Sequence, residues 1–138
     1  MQRKRVQAIC EPACVCFRAG IIIMEVVFKP WGGYEVLFDT KYTKVKELQI
    51  EPKQRLSYQS HKHRAEVWVV TKGVATVTIN GLTSKHKAGE SITIPVGAKH
   101  RLENEGDDVL YIIEVQTGMY FGEDDIIRYE DDYNRLEQ

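Results

Sequence analysis

No cysteine occurs after position 16 of this 138-residue chain, so no disulfide framework can staple its main body. The three that are present, Cys10, Cys14 and Cys16, are odd in number, and Cys-x3-Cys-x-Cys lacks the paired spacing of a structural zinc site. Such usage fits a reducing cytosol. Charge of one sign is also lacking: 19 basic against 20 acidic residues leave a net charge of −1, which calls for neither nucleic acid nor a membrane surface. The longest uncharged hydrophobic run, Ala19 to Met24, is far too short to cross a bilayer. Glu11, Pro12 and Arg18 interrupt the apolar stretch that a signal peptide would need after Arg3-Lys4-Arg5. A soluble, cytoplasmic protein is expected. Helical periodicity is the last absence, since no run longer than two turns precedes residue 120.

What is present is a procession of short segments rich in Val, Ile, Thr and Tyr, punctuated by Gly, Pro, Asn and Asp. Strands are predicted at Tyr34–Phe38, Thr43–Ile50, Arg55–His61, Glu66–Lys72, Val74–Ile79, Ser84–Lys87, Ser91–Ile94, His100–Asn104 and Val109–Gln116. Asn80-Gly81 between two of them is a hairpin signal, because both residues tolerate positive φ. Many short strands with regular turns imply an all-β sandwich or small barrel. The chain has the size of one domain, read here as residues 25–138, and residues 1–24 read as an extension, with Met24 a candidate initiator. The extension is expected to be poorly ordered or to add an edge element. The tail carries seven acids against two arginines from residue 122 onward, yet keeps Ile126, Ile127, Tyr129, Tyr133 and Leu136. It is therefore expected to pack on the barrel as a last strand or short helix.

The chemistry concentrates in Gln59-Ser-His-Lys-His-Arg-Ala-Glu66 and in Pro95-Val-Gly-Ala-Lys-His100, which hold three of the four histidines. On a strand, alternate side chains share a face, so Gln59, His61 and His63 can converge on one point, and parity alone does not choose among them. Imidazole and carboxylate together suit a single Zn, Fe, Mn, Co or Ni ion. His86 stands apart and reads as an ordinary half-exposed residue. Trp31, Tyr34 and Trp68 read as core or barrel-mouth packing. The Lys41–Lys46 stretch reads as a solvated strand face.

Gly89-x5-Pro95-x-Gly97-x2-His100-x3-Asn104 resembles the second cupin motif at every fixed position, and Glu66-x6-Gly73 resembles the end of the first. The resemblance implies a double-stranded β-helix, the jelly-roll barrel of cupins, with one metal between its sheets. The first motif departs from the usual pattern: Gln59 and His61 leave the right spacing to Glu66 and put Lys53 where a glycine belongs. The implied ligands are Gln59, His61, Glu66 and His100, with His63 a further ligand or a free imidazole beside the metal. Zinc is the first choice of ion, with Mn, Co, Ni, Fe or Mg as alternatives.

Residues 29–36, 55–70, 94–104 and 113–131 further resemble type II phosphomannose isomerase, a domain that often follows a mannose-1-phosphate guanylyltransferase. Val67 departs from that family, which commonly has another His there. The resemblance implies interconversion of mannose 6-phosphate and fructose 6-phosphate through a cis-enediol, with His63 the first candidate for the base and Glu103 the second. Lys46, Arg55, Arg64, Arg101 and Arg128 are candidates for the phosphate. Arg128 has the alternative of pairing with the tail's acids. A homodimer, and a separate guanylyltransferase as partner, complete the expectation. The rival readings are a non-catalytic sugar-binding cupin and an Fe(II) oxygenase.

Overall fold

The computed structural model describes residues 26–136, so the cysteine cluster and the extension through Met24 lie outside the described residues. Among the described residues eleven strands form: β1 Val26–Lys29, β2 Gly32–Asp39, β3 Thr43–Ile50, β4 Tyr58–Ser60, β5 Arg64–Lys72, β6 Val74–Ile79, β7 Leu82–Lys87, β8 Ser91–Ile94, β9 His100–Glu103, β10 Leu110–Gly118 and β11 Ile127–Glu130. A single 3₁₀ turn, Glu123–Asp125, precedes β11. The tail thus supplies both a turn and a strand. Two antiparallel sheets result, in the orders β1-β2-β3-β10-β5-β8 and β11-β4-β9-β6-β7. This is the double-stranded β-helix.

Local chemistry explains most of the joints. Asn80 and Gly81 take φ of 48° and 81° and close the β6–β7 hairpin. Lys53, where the cupin pattern has glycine, takes φ 62°, so the backbone keeps the left-handed turn that glycine would ease. Gly118, at φ 154°, faces Arg64 at the end of β10, and a Cβ there would strike the His63 carbonyl. The predicted strand Arg55–His61 shrinks to Tyr58–Ser60: Arg55 makes an isolated bridge to Glu103, and after His61 the chain leaves one sheet and enters the other.

The interior changes character along the barrel axis. On β10, Leu110 and Ile112 face inward and are followed at the same parity by Glu114 and Gln116. On β5 the inward line runs Val70, Trp68, Glu66, Arg64, and on β3 it runs Ile50, Leu48, Lys46. Register aligns these lines: Ile112 lies opposite Leu48 and Val70, Glu114 opposite Lys46 and Trp68, and Gln116 opposite Glu66. One end of the barrel is therefore filled by apolar side chains, among them Ile50, Val70, Val77, Leu102, Leu110 and Ile112, all fully buried. The other end is lined by polar side chains equally withdrawn from solvent.

Candidate functional site

Three side chains from three strands or their ends meet at that polar end. His61 follows β4, Glu66 lies on β5 and His100 opens β9, and one ligand atom from each falls within 4.8 Å of the others. His61 Nε2 is 3.1 Å from Glu66 Oε1, and His100 Nε2 is 3.7 Å from Glu66 Oε2. The second motif meets the first directly, because the Gly97 amide donates to the His61 carbonyl at 2.9 Å.

The far nitrogens of both imidazoles are tied to the backbone. His61 Nδ1 lies 3.2 Å from the Asp125 carbonyl and His100 Nδ1 lies 2.9 Å from the Ala98 carbonyl. A carbonyl can only accept, so Nδ1 carries a proton in each ring, which leaves Nε2 as the nitrogen that can ligate. Burial holds His100 below the ordinary histidine range, outweighing the attraction of Glu66. Burial would push Glu66 up, but His61, His100 and Arg64 hold it well below the usual carboxylate range. Two imidazoles and a carboxylate, with His100 Nε2 buried and lacking a hydrogen-bond partner among the described residues, make a donor set that could hold a divalent metal. The residues present fit the ion.

Gln59 faces the same interior as His100, which it opposes in the β4–β9 register, and its Oε1 accepts from Ser57 at 3.1 Å. His63 does not join the cluster. The turn that carries the chain between sheets resets the alternation after His61, and His63 points outward, exposed, with its ring against Tyr120. The shared parity of Gln59, His61 and His63 thus holds for the first two alone.

The cationic candidates separate into two groups. Lys46 is turned inward and buried, against its reading as part of a solvated face; it lies 3.6 Å from Glu123 and over the Tyr34 ring. Arg64 is buried beside the cluster, its Nε 3.1 Å from Glu66 Oε1 and its NH2 group 3.4 Å from His61 Nε2. Arg128 lines one cavity with Lys46, Arg64 and Glu66, opposite Gln59 in register; among the described residues its Nε is buried without a partner and it makes no ion pair. Arg55 and Arg101 serve the tail instead. Arg55 holds Asp132 with two bonds of 2.7 and 3.0 Å, and Arg101 reaches Glu130 at 3.1 Å and the Leu56 carbonyl at 3.1 Å. Glu103 lies on that outer face too, at the opposite parity to His100 and Leu102.

Several residues enter that sequence reasoning missed. Glu114 and Gln116 line the cavity, and Trp68 Nε1–H donates to Glu66 Oε2 at 3.0 Å and to Glu114 Oε2 at 3.1 Å. Burial, reinforced by Glu66, pushes Glu114 up to about 8. Asp125 ties down the crossing turn through the amides of Lys62 and His63, both at 3.0 Å. The signal for Glu114 and Gln116 was available, as two polar residues continuing the inward parity of Leu110 and Ile112. Val67 lies on the opposite parity to Glu66 and Trp68, so the departure there falls outside the barrel cavity.

The family model described as mannose-6-phosphate isomerase C-terminal matches residues 19–131. The chain is 47% identical over 110 residues to mannose-1-phosphate guanylyltransferase ManC of Salmonella typhimurium, an alignment covering 80% of this chain and 23% of that protein. This chain thus spans about a quarter of that curated relative's length. Among solved structures it resembles the capsular polysaccharide assembling protein CapF of Staphylococcus aureus, with a TM-score of 0.70, 19% identity, and coverage of 78% of this chain and 34% of that one. It also resembles a sugar phosphate isomerase of the cupin superfamily from Silicibacter pomeroyi, with a TM-score of 0.59, 19% identity, and coverage of 66% and 65%. The structural likenesses carry the cupin fold alone, while the family match spans both histidine-bearing motifs and most of the tail. The chain belongs to the mannose-6-phosphate isomerase C-terminal family.

Proposed function

We propose that this protein is a metal-dependent aldose–ketose isomerase that interconverts mannose 6-phosphate and fructose 6-phosphate. The observation that carries the proposal is that Glu66, which joins His61 and His100 in one buried donor set, also lines a cavity with the cations Lys46, Arg64 and Arg128. A metal donor set that adjoins a cavity walled by cations suits a phosphorylated sugar.

His61, Glu66 and His100 would hold the metal, with Gln59 as a fourth donor; zinc is the first choice of ion. When bound, such an ion supplies Lewis-acid polarisation of the sugar's oxygens, which favours enediolate character. The chain's own groups do the rest. Lys46, Arg64 and Arg128 bind the phosphate and orient the open-chain sugar by charge-assisted hydrogen bonds. The proton that leaves C2 and returns at C1 needs a carrier inside the cavity. Glu114 lies there, whereas His63 and Glu103 lie outside, so Glu114 takes the role first expected of them. The hydrogen bond from Trp68 Nε1 fixes the orientation of this carboxyl, and the packed apolar end keeps bulk water from its far side. A homodimer, a cytoplasmic location and a guanylyltransferase partner belong to the same reading.

The test is isomerisation of mannose 6-phosphate by metal-stripped protein, with divalent ions restored singly and fructose 6-phosphate detected by a coupled assay. Metal-dependent turnover is expected. Stoichiometric metal binding without turnover under any ion would overturn the enzyme and leave a sugar-binding cupin.

A further inference from the structure

Gln116 is fully buried, lines the cavity and presents an amide with one end satisfied and one end not. Its Nε2 donates to Glu114 Oε1 at 2.7 Å, whereas its Oε1 is buried without a hydrogen-bond partner among the described residues. With its NH2 end donating to the Glu114 carboxyl, the amide turns its oxygen away from that group. A buried acceptor left without a donor is costly, so a fold keeps one where a ligand supplies the donor. In the register of β10 and β5, Gln116 lies opposite Glu66. The free acceptor thus stands at the level of the metal donors.

The geometry points to Gln116 as a specificity-determining residue whose side-chain oxygen accepts a hydrogen bond from a hydroxyl on the substrate's carbon chain, near the reacting carbons. This rests on the sugar-phosphate reading above and adds the part that a phosphate site cannot supply. Lys46, Arg64 and Arg128 hold any phosphate ester alike; a lone buried acceptor selects, among those esters, a polyol with a hydroxyl at the matching carbon. A site built to receive a hydroxyl penalises the analogue lacking it, because its own polar atom is then left unpaired.

The experiment is calorimetric titration of the metal-loaded full chain with a hexitol 6-phosphate, its monodeoxy forms at C2, C3 and C4, and inorganic phosphate. In the wild type, loss of one particular hydroxyl is expected to weaken binding by about tenfold or more. In Gln116→Met, which keeps the length and removes the acceptor, the intact hexitol phosphate is expected to weaken by the same factor. Removing that hydroxyl then costs nothing further, while bound metal and phosphate affinity stay at wild-type levels. Equal wild-type affinity for all the deoxy forms overturns the inference, whether or not Gln116→Met folds. A wild type that isomerises mannose 6-phosphate but shows no coupling between Gln116 and any hydroxyl overturns this inference alone. Hydroxyl-selective binding that depends on Gln116, without turnover, supports it and overturns the isomerase reading alone.

Discussion

Replacing Asp125 by Asn should loosen the metal centre from a position that offers it no ligand atom. The Asp125 carboxylate accepts from the backbone amides of Lys62 and His63, each at 3.0 Å, and its own carbonyl lies 3.2 Å from His61 Nδ1. The residue is only 6% exposed, so the two amides have little water to turn to. A hydrogen bond to a charged group contributes about 1.5–3 kcal/mol, and asparagine keeps one acceptor while setting its NH2 group against the second amide. The expected loss is about 2 kcal/mol, or a melting temperature lower by about 10 °C for a domain of this size. His61 would lose the fixed turn that aims its ring, and metal affinity should fall about 10- to 100-fold, as for other groups that orient a ligand.

The pH dependence supplies a second, independent sign. Burial alone would raise the Asp125 carboxyl, but the Lys62 and His63 amides outweigh it and hold the group below the ordinary aspartate value. A carboxyl whose folded value is depressed contributes stability that is present above its unfolded value of about 3.9 and is lost as pH falls through the folded value. The difference between wild type and Asp125→Asn should therefore be full at neutral pH and shrink in acid. Denaturant unfolding at several pH values, with a competition assay for metal, measures both effects. An Asp125→Asn protein with wild-type stability and wild-type metal affinity would refute the argument.

Three further outcomes follow from the site. His100→Ala should abolish metal loading, measured by elemental analysis, whereas Arg128→Ala should keep the metal and raise KM for mannose 6-phosphate by about tenfold or more; equal metal loss in both would sink that division. Glu114 is pushed up to about 8 by burial and by Glu66, so the fold favours its protonated form. Its contribution is greatest at low pH and is lost as pH rises from the unfolded value of about 4.3 toward the folded one. The metal-free wild type should therefore lose up to a few kcal/mol between about pH 5 and pH 8, and Glu114→Gln should flatten that slope in denaturant titrations. Because His63 faces outward, His63→Gln should leave kcat within about twofold and the pH–rate profile unmoved; a loss of about a hundredfold would return His63 to catalysis.

Much of the barrel was legible in one dimension. Strands Thr43–Ile50, Val74–Ile79 and Ser91–Ile94 form over the residues that their composition indicates, and the Asn80-Gly81 hairpin follows from backbone sterics within the dipeptide. His61, Glu66 and His100 were legible because their spacing is set by elements that the motifs themselves encode. These are local properties, or pairs of local properties joined by a fold that the second motif announces. The β1 strand at Val26–Lys29 was not read, because its pairing with β2 comes through a turn at Pro30-Trp31 rather than through its own alternation.

What only the tertiary structure decided concerns direction. Alternation predicts which residues share a face within one strand, and it cannot survive a crossing between sheets, so His63 turned out while Gln59 and His61 turned in. Lys46 looked like one more lysine on a solvated face until β3 met β10 and placed it opposite Glu114. Arg55 and Arg101 resembled anion binders, and the acidic tail claimed them through Asp132 and Glu130. Periodicity assigns a residue to a side; which side closes over a cavity depends on contacts between strands far apart in the chain, and those exist only once both sheets have formed.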